Sequence, residues 1–292
     1  MSATVTRRFD GLSAIIDYAG NNLPKSASQA ANEMMQTRRS APYHMAEWFG
    51  MPAIAQHAPN KYAADMLTNG WHEGVERMQS AIDALTPPPS IGTRRRAVWS
   101  DAGDSIDMQR VYAGNLDAAW RKCTRQSARA PRPVTIWLPM ALPSTTAADV
   151  IFWRGAAVAV LADTLQQAGY SVAVNGYMNG LLMTTSKDSR THPQIDMTLT
   201  IKPHRSPMDL GTLAAATALP SMVRGIYYAA VCIAGSIDGH KIKAGLSYHS
   251  DRNEYADMQP GDIGGARTVS TQADAQRWIA DSMEKLTEQM GN

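Results

Sequence analysis

What most constrains this chain is a pair of apolar, β-type runs separated by a segment of helical period. Val134-Thr135-Ile136-Trp137-Leu138 is β-branched and apolar without polar alternation, as a central strand covered on both faces requires. The loop Pro139 to Thr146 leads to a helix predicted from about Ala147, with Thr145 or Thr146 as N-cap. Val150, Trp153, Ala157, Leu161 and Leu165 recur at helical spacing, Ala168-Gly169 ends the run, and Tyr170-Ser171-Val172-Ala173-Val174 follows as a strand. A strand, a crossover helix and a second strand form a right-handed βαβ unit, which requires parallel pairing.

The remaining pattern fits around that unit. Phe9 to Ala19 reads as a short amphipathic helix, and Lys25 to Ser40 as either a lightly packed helix or an arm that orders on a partner. Tyr62 to Leu85 reads as two helical pieces broken at Asn69-Gly70, with Val75, Met78 and Ile82 on one face. Thr86-Pro87-Pro88-Pro89-Ser90 removes amide donors and marks the one internal boundary. Beyond it come a strand over Arg96 to Ser100 and a short helix over Leu116 to Cys123. Ile195, Met197, Leu199 and Ile201 alternate with polar residues as in a strand with one more exposed face. Asp209 caps a short helix through Ala216, and Pro220 opens another through about Ala234. Ser236 to Gly265 reads mainly as loop, and Thr271 to Met290 as an amphipathic helix with Trp278, Met283 and Leu286 inward. The expected fold is α/β, with a mixed, partly parallel sheet, helices on both faces and an N-terminal helical region. The expected units are a helical region over 1–90 and an α/β core over 91–292.

Composition narrows the function classes. With 292 residues and 44% hydrophobic residues the chain can bury a substantial core. Cys123 and Cys232 are too few for a disulfide scaffold and lack zinc-site spacing, which fits a reducing compartment. Met1 to Asp10 carries no apolar run behind its arginines, and Gly225 to Gly235 is too short to span a bilayer, so no membrane association is expected. The expected location is cytoplasmic.

Motif chemistry points away from catalysis. The loop Pro139-Met140-Ala141-Leu142-Pro143-Ser144-Thr145 sits where open α/β sheets build ligand sites, but it has no glycine-rich phosphate cradle and no following lysine. His44, His57, His72, His192, His204, His240 and His249 form no metal-ligand pattern. Ser247-Tyr248-His249-Ser250-Asp251 holds hydrolase residue types, but strand neighbours point to opposite faces and no nucleophile elbow surrounds them. The chain is therefore expected to be a binding protein, not an enzyme, with no cofactor, no metal and no catalytic residue.

Charge is unevenly spread. The formal net charge is only +2, yet from Arg94 to Arg132 nine cations face four acids, a local balance of +5. Arg94, Arg95 and Arg96 form one group, and Arg121, Lys122, Arg125, Arg129 and Arg132 run without an acid between them. Each can neutralise a phosphate and release counterions. Trp99, Tyr112 and Trp120 lie among them and can offer π-faces to unstacked bases. The plainer alternative is a solvated basic face with its aromatics in the core. Trp48, Phe49 and Trp71 can either line a groove or staple helices to the body.

Asn69-Gly70-Trp71-His72-Glu73-Gly74, the segment Val134 to Val174 with Trp153-Arg154-Gly155-Ala156-Ala157 and Ala168-Gly169-Tyr170, and Pro207-Met208-Asp209-Leu210 together resemble a phage and plasmid family described only as a domain of unknown function. The likeness spreads over roughly residues 9 to 290. Val134 to Val174 also resembles the von Willebrand A core, although the loop lacks the Asp-x-Ser-x-Ser that holds a divalent ion there. Size and the basic segment are similar to those of early single-stranded DNA-binding proteins of podoviruses, which also act as cofactors of a phage RNA polymerase. That resemblance implies a sequence-tolerant single-stranded DNA-binding protein serving phage transcription or replication, with the RNA polymerase as a partner and a homo-oligomer as one form it can take. The nucleic-acid-binding residues chosen from the sequence itself are Arg94, Arg95, Arg96, Trp99, Trp120, Arg121, Lys122, Arg125, Arg129 and Arg132. The competing expectation is a protein-protein interaction module with a degenerate von Willebrand-like fold, no metal site and no affinity for nucleic acid.

Overall fold

The computed structural model describes residues 4–21, 45–55, 58–83, 93–100, 105–106, 108–112, 114–116, 119–127, 133–142, 146–184, 194–204, 206–207, 209–237, 242–249, 262–264, 266 and 268–291. The expected segment Lys25 to Ser40 and the proline boundary at 86–90 lie outside them.

The predicted βαβ unit is the centre of the fold. β5 (Pro133–Pro139) and β6 (Ser171–Thr184) pair in parallel, Val134 opposite Val172 and Ile136 opposite Val174, with α6 (Ala148–Gln167) between them in sequence. Ile136, Val172 and Val174 are buried, in keeping with the unbroken apolar runs. β6 outruns its predicted length. Its second half, beyond the reach of β5, pairs antiparallel with β8 (Ile242–His249), while β7 (Gln194–Lys202) lies antiparallel along most of its other side. β1 (Thr4–Phe9) pairs in parallel with β7, and β9 (Ile263–Gly264) with β5. The six-stranded sheet runs β1-β7-β6-β5-β9, with β8 beside β6, and the fold is α/β as expected.

Four local expectations need correction. Phe9 does not open a helix: it ends β1, with Val5 and Phe9 buried at alternating positions, and α1 runs over Leu12–Asn21. Ser236 to Gly265 is not mainly loop, because it contains β8 and β9. Thr146 does not cap α6: Ala147 occupies that position and no side chain caps the helix. The helix expected over Leu116 to Cys123 is replaced by β4 (Trp120–Ser127). Its partner β2 (Thr93–Ser100) lies antiparallel along its whole length, and β3 (Ser105–Ile106) pairs with its start, giving a separate three-stranded sheet β2-β4-β3. A short helix α5 (Met108–Tyr112) follows β3.

The helices behave as their patterns suggest. α2 spans Met45–Phe49, and a single 3-10 turn Ala53–Ala55 follows. α3 (Pro59–Asn69) and α4 (His72–Asp83) break where Asn69-Gly70 predicts. α7 (Leu210–Ala218) is capped by Asp209, whose carboxylate accepts from the Thr212 amide at 3.0 Å. α9 (Gln272–Gly291) begins at a reciprocal cap, Thr271 and Asp274 each accepting the other's amide hydrogen. Pro220 precedes a π-helical run, Met222–Tyr227, that continues into α8 (Tyr228–Ile237), a wider coil than the α-helix expected. α6 crosses the alanine-rich α7 at Gly155, where a Cβ would lie 1.9 Å from the Thr217 carbonyl oxygen, so only glycine admits this approach. Val5, Phe9, Ile15, Leu67, Trp71 and Met78 join Ile136, Phe152, Leu161 and Met222 in one apolar cluster, so residues on both sides of the proline segment share a core.

Candidate functional site

Two regions are candidate sites, and the first is the β2-β4 ribbon. The two arginine-rich stretches, 25 positions apart in sequence (Arg96 to Arg121), become cross-strand neighbours. Arg95 is directly opposite Arg125, Trp99 opposite Arg121, Val98 opposite Lys122, Arg94 opposite Gln126, Arg96 opposite Thr124 and Ser100 opposite Trp120. Directly paired residues in an antiparallel ribbon share a face, and alternate residues share it too. Register therefore puts Arg95, Trp99, Arg121 and Arg125 on one face and Arg94, Arg96, Trp120 and Lys122 on the other. Eight of the ten residues singled out from the sequence come together here. Arg129 and Arg132 lie outside the described residues.

The segment between β3 and β4 adds exposed apolar surface. Ile106, Met108, Tyr112 and Leu116 are exposed, Tyr112 at 83%. Among the described residues they are four of the five large apolar side chains so exposed, the other being Ile54. Trp120, opposite Ile106 in the register, is half-buried.

The second region is a cavity of about 1030 Å³ where α2, α4 and the start of α6 meet. Its floor is apolar and includes Met51, Trp71, Phe152 and Pro220, all buried. Trp71 meets Phe152 edge-on at 5.9 Å between centroids. Gly74 lets the indole lie against α4, since a Cβ there would come within 2.2 Å of Trp71 Cε3. The rim carries Glu47, Glu73, Glu76 and Asp149, all exposed, against one cation, Arg77. Arg77 Nη2 donates to Asp149 Oδ1 at 2.8 Å, and its guanidinium lies 3.9 Å from the Phe152 centroid.

The walls of the cavity are tied together from below. Arg224, in the π-helical run, donates to the Trp48 carbonyl oxygen and to the Thr146 carbonyl oxygen, and its guanidinium lies 4.3 Å from the Trp48 ring. The wide π coil thus supplies the residue that joins α2 to the entry of α6. Trp48, Phe49 and Trp71 fulfil both sequence readings: Phe49 and Trp71 are buried in packing, and Trp48 and Trp71 also line the cavity. Sequence reasoning missed Glu73, Glu76 and Arg77, although their i, i+3, i+4 spacing on α4 was a usable sign of one shared face.

Three titratable groups elsewhere are held within the fold. Lys202 is buried at the end of β7, where burial lowers its pKa, and its Nζ donates to the Val172 carbonyl oxygen at 2.7 Å. Tyr227 is buried, which pushes its phenol pKa far up, with its hydroxyl 3.4 Å from the Met197 carbonyl oxygen. His204 Nδ1 lies 2.8 Å from the Ser171 carbonyl oxygen. Among the described residues no three His, Cys, Asp or Glu side chains gather as a metal site, and no helix is long and apolar enough to cross a membrane.

No curated protein and no solved structure matches the chain. A family model described as a domain of unknown function, DUF7192, matches residues 2–257, and the chain belongs to that family.

Proposed function

We propose that the protein is a sequence-tolerant single-stranded DNA-binding protein, a binding protein without catalytic activity, whose β2-β4 ribbon follows the phosphate backbone. The observation that carries this reading is the register itself, which sets Arg95 against Arg125 and Trp99 against Arg121. Arg94, Arg96 and Lys122 on the other face extend the charge. Trp99, Trp120 and Tyr112 are the stacking candidates; Tyr112 is exposed and Trp120 half-buried. Arg129 and Arg132 follow β4 in sequence and belong to the same run of cations. Service to phage transcription or replication, alongside an RNA polymerase, is the part of the proposal that rests on the resemblance to podovirus single-stranded DNA-binding proteins.

The test is fluorescence anisotropy of a labelled thymidine strand and of a matched duplex, over a series of salt concentrations. The proposal predicts binding that favours the single strand and weakens as salt rises. Absence of binding to either at low salt would overturn it, and the interaction-module reading would then stand in its place.

A further inference from the structure

The cavity at the start of α6 calls for a ligand unlike DNA. Its rim holds Glu47, Glu73, Glu76 and Asp149 against Arg77, with Arg224 bonded behind the walls, a balance that still favours cations over a phosphate backbone. Its floor of Met51, Trp71, Phe152 and Pro220 is an apolar recess large enough for a bulky side chain.

Each of these features fits one part of the same object. An apolar side chain fits the floor, and lysine or arginine side chains fit the carboxylate rim. We infer that this cavity is a docking site for a short segment of a partner protein, one presenting a large apolar residue flanked by basic residues. Charge complementarity selects that occupant over nucleic acid and over an acidic peptide. The Arg224 clip between Trp48 and Thr146 holds the two walls at a fixed spacing, so the recess exists before the partner arrives. The inference does not depend on the ribbon binding DNA.

The probe is a displayed library of random twelve-residue peptides, selected on the full chain and on a Glu73→Lys/Glu76→Lys variant, with the selected peptides then measured by anisotropy. Both substitutions lie at exposed positions, and circular dichroism with thermal melting confirms that the variant is folded. The expected result is enrichment of basic peptides with a central Leu, Phe or Trp, whose affinity falls at least tenfold in the variant while binding of the thymidine strand is unchanged. No enrichment, enriched peptides without positive charge, or equal binding to wild type and variant would each overturn the inference. Because the DNA strand is measured on the same samples, failure of the peptide site is distinguishable from failure of the ribbon.

Discussion

The β2-β4 ribbon and the cavity at the start of α6 carry opposite charge on one nearly neutral chain. On the ribbon, Arg95 stands opposite Arg125 across two strands, beside an exposed apolar segment. At the cavity, carboxylates ring an aromatic floor built into the shared core. A net charge of +2 hides both. The difference shows that the sign of a surface has to be taken element by element, because summation over the chain cancels the signal that separates two kinds of ligand.

The two regions also differ in what their tryptophans do, and this is the easiest place to break the comparison. Trp71 is buried against Phe152, so Trp71→Ala should cost about 3–5 kcal/mol of folding stability, measured by urea unfolding. A loss below about 1 kcal/mol would mean that the cavity floor is not part of the core. Trp120 is half-buried on the ribbon, and Trp120→Ala should cost roughly 1–3 kcal/mol of affinity for a thymidine strand. Unchanged affinity would remove Trp120 from the proposed stacking surface.

A smaller effect separates the regions by pH. Asp209 caps α7 beside Gly70 and His72. Partial burial opposes ionisation there, but it is outweighed by hydrogen bonds from the Thr212 hydroxyl and amide and the Gly211 amide and by the charge of His72, so the carboxyl pKa lies below its usual value. A depressed folded-state pKa adds stability that is complete above the ordinary aspartate value of about 3.9 and is lost as pH falls through the folded value. Asp209→Ala should therefore cost about 1 kcal/mol at neutral pH and progressively less in acid. Arginine keeps its charge throughout this range, so the cationic charge of the ribbon should not change over it. A mutational cost that stays constant from neutral pH into strong acid would contradict the capping role.

The fold was legible where burial imposes a pattern. β5, α6 and the start of β6 show in the sequence because an interior strand is mostly apolar without polar alternation and a packed helix repeats its apolar positions. β4 did not show because Trp120 to Ser127 has polar residues at both alternations, so neither period stands out and only pairing with β2 settles it as a strand. β1 was hidden for a different reason. Its partner β7 lies some 190 positions away, Val5 opposite Ile195, and only Val5 and Phe9 of its residues are buried. The residues of the ribbon were legible as charge, but their face-to-face arrangement was not. The cavity draws on Trp48, Trp71, Phe152 and Pro220, far apart in sequence, and its clip depends on a π-helical run that no simple periodicity announces.

The central claim is that the cations of the ribbon, and not the protein's overall charge, hold the DNA. Its most direct test is the slope of log affinity against log salt for a thymidine strand, compared among wild type, Arg121→Glu/Arg125→Glu and Glu73→Lys/Glu76→Lys. Each phosphate neutralised on a single strand adds roughly 0.7 to the magnitude of that slope. The account predicts that reversing Arg121 and Arg125 weakens binding and flattens the slope by about 1.4, while reversing Glu73 and Glu76 leaves the slope unchanged. An unaltered slope in the arginine variant, or an equal change in both variants, would contradict it.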